Sequence, residues 1–219
     1  MSDLHPAQAD PDGNVWTYNR TTGEWENVGQ IGSGGGGNGG GGMVELDRWE
    51  HSQAGDSSTI EFTGISQDYD DLVLDLRLRS DRTTTSDQDR LDVLFGGSSF
   101  DTGSNYGLVH RRVGSDHSTS ETASASQWVT PVGSVAANAS GQLHARCRVE
   151  IYDYAVLEHR IVYSTAQALP ADSGAWRLIA WNSGVWRNAT DGLERIRLTP
   201  NSGEDLIGGW AVLYGVKHS

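Results

Sequence analysis

The chain has 219 residues, of which 36% are hydrophobic, and a formal net charge of −13; this length allows one globular domain of moderate size with a short appendage. This net negative charge argues against contact with the phosphates of nucleic acids and against adsorption to an anionic membrane. The single cysteine, Cys147, excludes an intrachain disulfide and a cysteine-based zinc site, and no apolar run is long enough to span a bilayer.

The N-terminal segment, residues 1–31, predicts an extended arm followed by a β-hairpin. Its first 13 residues contain two prolines and lack the basic and apolar regions of a signal peptide. Short β-like runs at 15–18 and 24–28 flank the turn sequence NRTTG. Because a lone hairpin is marginal in water, we expect its apolar side chains to pack on another copy of the chain, a partner or the main domain. These side chains form the predicted anchor: Trp16, Tyr18, Trp25 and Val28.

Residues 32–42 form a predicted linker that ends in the run GGGGNGGGG. Glycine loses more conformational freedom on ordering than any other residue, so we expect this run to separate two folded pieces. As a free tether, nine residues span roughly 15–18 Å on average and at most about 30 Å when fully extended. The alternative is an ordered threefold stalk, since chains can pack closely where side chains are absent, as in collagen.

The remaining residues, 43–219, predict many short strands. Leucine occupies every second position of 72–78, and 145–151 and 195–199 show the same period of two, which is typical of half-buried antiparallel strands. Turns rich in Gly, Ser, Asn and Asp separate the strands, so we expect an all-β fold, an antiparallel jelly-roll or Greek-key β-sandwich, with a protruding polar loop at 114–126. Further strands are predicted at 43–50, 59–62, 91–95, 106–112, 159–165, 176–181 and 210–216.

Residues able to carry chemistry form no recognisable catalytic or metal-binding motif. The aspartates at 68–71 and 81–92 predict solvated acidic loops rather than the paired carboxyls of a glycosidase. The seven histidines lack metal-ligand spacing, although a ring of histidines on a trimer axis stays an alternative. No Gly-x-Ser-x-Gly sequence is present, and Cys147 is predicted to fill the core. We therefore expect a non-enzymatic protein with no metal and no cofactor.

A tryptophan-rich stretch beside a polar turn predicts a carbohydrate site. Trp176, Trp181 and Trp186 lie within eleven residues, and exposed tryptophans can stack on sugar rings. The alternative is that Trp176 and Trp181 fill the core, whereas Trp186 is predicted to lie in the loop itself. The candidate glycan-binding residues are Trp186, Asn188 and Asp191.

Residues 46–216 resemble a jelly-roll virion domain that is widespread in tailed bacteriophages. The matching pieces are LDRWEHS, STIEFTGISQDYDDLVLDLRLRSDR, the DTGSNY turn and the closing WAVLYGVK. The segment VWTYNRTTGEWENVG, residues 15–29, resembles the short anchor module of phage fibres. In those fibres a collagen-like or glycine-rich stalk commonly follows, but Gly-X-Y triplets are absent here.

The resemblance implies a homotrimeric structural protein of the virion. Such proteins are attached by the N-terminus and display the C-terminal domain outward, as head decoration, head fibre, or tail or baseplate fibre. The expected partners are two further copies of the chain and other virion proteins of the capsid or tail. The alternative is a receptor-recognition module of a tail fibre that binds a host-surface glycan during adsorption.

Overall fold

The computed structural model describes residues 8–9, 14–19, 24–30, 42–82, 88–113, 119–125, 127–135, 144–168 and 178–218. The chain divides into two compact units, Met1–Gly39 and Gly40–Ser219. The division falls within the predicted linker, of which only Gly42 is among the described residues.

The smaller unit contains a three-stranded antiparallel sheet in the order β1-β2-β3. Tyr18 pairs with Trp25 in its register. The two strands expected from the sequence are present, and part of the arm adds a third. The side chains of the predicted anchor lie outside the described part, so their role stays a prediction. The strands are β1 (Gln8–Ala9), β2 (Asn14–Asn19) and β3 (Glu24–Gln30).

The larger unit is built from strands that pair almost entirely antiparallel, which confirms the all-β prediction. In the described residues its helix, α1 (His51–Ala54), has four residues, and no helix there is long and apolar enough to cross a membrane. The strands are β4 (Gly42–Glu50), β5 (Ile60–Thr63), β6 (Asp71–Ser80), β7 (Gln88–Gly96), β8 (Tyr106–Val113), β9 (Thr119–Ala125), β10 (Trp128–Val135), β11 (Ala145–Tyr152), β12 (Arg160–Ala168), β13 (Leu178–Trp186), β14 (Arg195–Pro200) and β15 (Leu206–Lys217).

These strands form two groups that face each other. One group has the order β5-β14-β7-β10, and the other has the order β4-β15-β6-β11-β12-β13-β8-β9. In the part of the chain that the structure describes, one parallel pair, Val135 with Arg79, joins β10 to β6. Strand β10 also contacts β11, β12 and β13, with which it shares no described ladder, so it crosses the larger group as a facing sheet does.

One hydrophobic cluster fills the space between the two groups. The alternating leucines of β6 are fully buried, and the apolar positions of β11 and β14 belong to the same cluster, as their period of two predicts. Cys147 lies in this core at 1% exposure, where burial raises the pKa of its thiol to about 12. The prediction that Cys147 fills the core is confirmed.

Two segments predicted as loops contain strands instead. The stretch 114–126 includes β9, which pairs with β8 at the edge of the larger group; an edge strand can be wholly polar, so it lacks an apolar period. The stretch 182–186 completes β13. Its Gly184 suggests a turn, but a Cβ there would collide with the indole of Trp128, so glycine is needed for packing.

Candidate functional site

The structure brings the three predicted glycan-binding residues close together but buries the tryptophan. Trp186 ends β13, and its side chain is 0% exposed. Its indole N–H donates a 2.8 Å hydrogen bond to Oδ2 of Asp101, and its ring centroid lies 5.7 Å from that of Phe95. A sugar cannot reach this ring, so the placement of Trp186 in an exposed loop is wrong.

Asn188 and Asp191 are held by Arg160, a buried residue that the sequence does not single out. The guanidinium donates to the backbone carbonyls of Asn188 and Asp191 and, at 3.4 Å, to that of Tyr154. Its Cζ lies 4.8 Å from the centroid of the Trp186 ring. Nδ2 of Asn188 donates to Oδ2 of Asp191 at 3.2 Å. Asn188 is partly exposed and Asp191 is exposed, so their role in glycan binding stays a prediction.

Trp181 lies on the outer face of β13 and is 38% exposed, so the alternative in which it fills the core is wrong. It pairs with Thr165 of β12 and Arg111 of β8. Trp176 lies outside the described residues. The pairing register puts three other exposed apolar residues on the same face: Val109, Ile161 and Ile179.

Two aspartates that were predicted to be solvated are buried acceptors. Asp89 is 0% exposed; it accepts a 2.6 Å hydrogen bond from Ser202 and lies 3.3 Å from Nη1 of Arg82. Asp71 is 8% exposed and lies 2.7 Å from Nε2 of His218, whose pKa it raises. Among the described residues, no group of three or more His, Cys, Asp and Glu could hold a metal ion.

A groove of about 580 Å³ lies where β15 bulges against β6. The register of the two strands shifts between Leu206 and Gly208, and Gly209 has a φ of 106°, a conformation that favours glycine. A Cβ added at Gly208 would lie 3.1 Å from Nε2 of His144 and 3.8 Å from Cβ of Arg79. A side chain at Gly208 would therefore press against two of the residues that line the groove.

The walls of the groove come from four parts of the chain that strand pairing brings together. Trp210 pairs with Glu50 across β15 and β4, and Gly208 pairs with Arg79 across β15 and β6. Trp210 is half-buried. The side chains on the walls are Glu50, His51, Ser52, Arg79, His144 and Trp210.

The charges on the groove walls are unevenly distributed. Glu50 forms a 2.9 Å ion pair with Arg48, and Nε2 of His51 lies 2.8 Å from Oδ1 of Asp56. Both wall residues are therefore already paired, Glu50 with a guanidinium and His51 with a carboxylate. The opposite end carries Arg79, whose guanidinium is always charged, together with His144 from the residue before β11. The groove therefore combines the indole of Trp210 with charged and polar side chains.

In comparisons with known proteins, nothing matches this chain: no family model, no curated protein and no solved structure. The division of the chain into two units and the groove beside Trp210 are the two structural features that bear on its function.

Proposed function

We propose that this chain is a non-enzymatic structural protein of a tailed-bacteriophage virion. It would be a trimeric fibre or decoration protein, attached by its smaller unit and displaying the larger one, whose sandwich we propose to be a jelly roll. The observation that carries the proposal is the division into a small three-stranded sheet and a large β-unit with its own core. Attachment and display require such a division, and the resemblance of residues 15–29 to fibre anchors supports it.

Two further observations support association of copies of the chain. A three-stranded sheet of this size buries too little apolar surface to be stable alone. The outer face of β8, β12 and β13 also collects exposed apolar side chains, which soluble monomers seldom group on one surface. These side chains are Val109, Ile161, Ile179 and Trp181, with exposures of 46%, 57%, 38% and 38%.

Sedimentation of the full chain tests this proposal. We expect a species with three times the mass of the 23.6 kDa chain at micromolar concentration. Trp25→Ala should lower both the trimer fraction and incorporation into virions, because the anchor loses one of its two tryptophans. Thr17→Ala, in the neighbouring strand β2, is the matched control and should change neither. A monomeric wild-type protein, together with normal incorporation of the Trp25→Ala variant, would contradict the proposal.

We propose, as the alternative function, that the displayed unit recognises a host-surface carbohydrate. The groove beside Trp210 favours this function, because sugar sites combine an aromatic side chain with a few polar groups. Glycan-array binding by the full chain tests it, with Trp210→Leu expected to weaken the signal. Tyr152→Leu, at an exposed aromatic position on β11 that does not line the groove, is the control. A silent array, with host adsorption unchanged by Trp210→Leu, would rule this function out.

A further inference from the structure

We infer that the outer face of β8, β12 and β13 is the surface through which the larger units of neighbouring copies contact one another, and that the start of β4 of the next copy covers it. This inference rests on the trimer of the proposed function and deepens it, because it names the two surfaces that meet. We call the first surface the neutral face. Its apolar residues are Val109, Ile161, Tyr163, Ile179, Trp181 and Val185.

The distribution of charge over one side of the sheet provides the first argument. Strands β6, β11, β12 and β13 lie side by side, and their register places alternate residues on the outer side. The outward positions 75, 77 and 79 of β6 and 146, 148 and 150 of β11 are all charged, and Arg146 forms an ion pair with Asp75. The outward positions 161, 163, 165 and 167 of β12 and 179, 181, 183 and 185 of β13 carry no charge. The sheet therefore changes from a charged surface to a neutral one between β11 and β12.

A neutral surface of this composition suits contact between copies of the chain. Each copy has a net charge of −13, so copies that meet through charged surfaces repel one another or must desolvate their ion pairs. The cores of protein interfaces are depleted of charged residues and enriched in Trp and Tyr. The neutral face matches this composition, with Ile161 57% exposed and Trp181 38% exposed. Exposed isoleucines, by contrast, give the hydroxyls of a sugar no partner for a hydrogen bond.

The symmetry of a trimer requires a second surface. In a closed ring of three copies the contacts are heterologous, so the neutral face of one copy meets a different patch of the next. Met43 and Val44, at the start of β4, form such an apolar patch, with exposures of 52% and 46%. The strand order places β4 at one edge of the larger group and β12 and β13 towards the other. Each copy can therefore use both patches at once, one with each neighbour.

The position and the size of the two patches agree with a contact between tethered copies. Strand β4 begins directly after the glycine-rich run, so three chains gathered at the linker also bring together three copies of Met43 and Val44. Three strands over the length of residues 161–167 cover about 15 Å by 23 Å, or roughly 350 Å². Stable free complexes bury about 800 Å² per partner. The contact therefore forms only between copies that the tether already holds at a high effective concentration.

Cross-linking of the full chain tests the inference. Cys147 is the single cysteine and is buried, so introduced cysteines are the reactive thiols. In Met43→Cys/Ile161→Cys, a short bismaleimide should join the copies into a covalent ring, and denaturing electrophoresis should show a band of three chains. Met43→Cys/Glu204→Cys is the matched control and should give no such band. Glu204 is exposed between β14 and β15, at the opposite end of β15 from Val216, the partner of Met43.

A charge introduced into the neutral face tests the same contact without a reagent. Ile161→Asp places a carboxylate where the neighbouring copy would desolvate it. We expect the chain concentration at which half of the protein is trimeric to rise about tenfold or more, as measured by sedimentation. Thr63→Asp, which adds the same charge at an exposed position of β5, is the matched control and should leave this concentration nearly unchanged. Thermal melting shows that both variants are folded.

Sedimentation separates failure of this inference from failure of the proposed trimer. A trimeric protein that gives no band of three chains in Met43→Cys/Ile161→Cys would overturn the inference and leave the trimer in place, as would equal effects of Ile161→Asp and Thr63→Asp. Cross-linking of Ile161→Cys alone into pairs would show that two neutral faces meet each other. A glycan-array signal that Trp181→Leu removes would assign the neutral face to a saccharide. A monomeric wild-type protein would overturn both the inference and the trimer.

Discussion

Arg160 is a fully buried cation whose partners are backbone carbonyls. Its guanidinium donates to Tyr154, Asn188 and Asp191, so one side chain fixes the segment that follows β13. A lysine in its place offers a single ammonium that cannot reach all three carbonyls at once. We expect Arg160→Lys to lower the free energy of unfolding by about 2–4 kcal/mol, because buried acceptors lose their donors.

Urea unfolding, followed by tryptophan fluorescence, measures this loss. Arg148→Lys is the control, since Arg148 is exposed on β11 and forms its 2.8 Å ion pair with Glu150 at the surface. We expect this control to change the free energy of unfolding by less than about 1 kcal/mol. Similar losses for the two variants would contradict a special role for Arg160.

The C-terminal end of β15 is held by contacts of His218, an ionisable residue, with two aspartates. Nε2 of His218 lies 2.7 Å from Oδ2 of Asp71, and its backbone N–H donates to Asp70. The carboxylate of Asp71, which accepts a hydrogen bond from the imidazole, raises the pKa of His218 above its ordinary value. Because the folded pKa lies above the unfolded one, the contact stabilises the fold fully below about pH 6.5, and this contribution is lost as the pH rises through the folded pKa.

NMR titration of the His218 imidazole tests this pH dependence. We expect a pKa above the ordinary value in the wild-type protein, and a lower one in Asp71→Asn, because the amide removes the negative charge but keeps an acceptor for the N–H of Asp153. A pKa for His218 that is the same in both proteins would show that Asp71 does not stabilise the charged imidazole.

At the scale of the strands, packing at a glycine sets how closely β13 and β10 approach. A Cβ at Gly184 would collide with the carbonyl oxygen of Gly107 and with the indole of Trp128. We expect Gly184→Ala to lower the free energy of unfolding by about 1–3 kcal/mol, because both groups must move. Ser183→Ala, at the adjacent exposed position, should stay within about 0.5 kcal/mol. Chemical denaturation compares the two, and a neutral Gly184→Ala would show that the strands can separate at no cost.

The period of two in the sequence predicted β6, β11 and β14, since each places alternate apolar residues in the core. It missed β9, whose serines and threonines pair at a sheet edge without an apolar face. It also missed the end of β13, where Asn182 suggests a turn but is buried, with its amide donating a 2.6 Å hydrogen bond to Ser164. Local composition alone does not report such long-range pairing.

The candidate site was harder to predict than the strands for the same reason. The sequence drew attention to Trp186 because it lies beside a polar turn. In the structure Trp186 is buried, and its indole donates a hydrogen bond to Asp101, which lies far away in the sequence. The groove depends on a bulge in β15 and on residues from β4, α1, β6 and the approach to β11. Only the pair of glycines before Trp210 was a visible signal, because such pairs mark bulges and close approaches within strands.

At the scale of the whole molecule, the larger unit has a hydrophobic core of its own. The described hydrophobic cluster runs from Ile60 to Leu213, within the unit Gly40–Ser219. A unit that buries its own apolar surface can fold without its neighbour.

Cleavage within the linker tests whether the larger unit folds and associates without the smaller one. We expect a protease site inserted into 32–42 to release the larger unit with its melting temperature within about 2 °C of that in the intact chain, a change below that of a single average mutation. If the smaller unit holds the trimer together, the released unit should sediment as a monomer, while the uncut protein stays trimeric. A fall in melting temperature of more than about 5 °C would mean that the larger unit depends on the N-terminal segment for stability.

The rate of cleavage tests the linker itself. A free tether should be cut rapidly, whereas a threefold stalk should resist the protease.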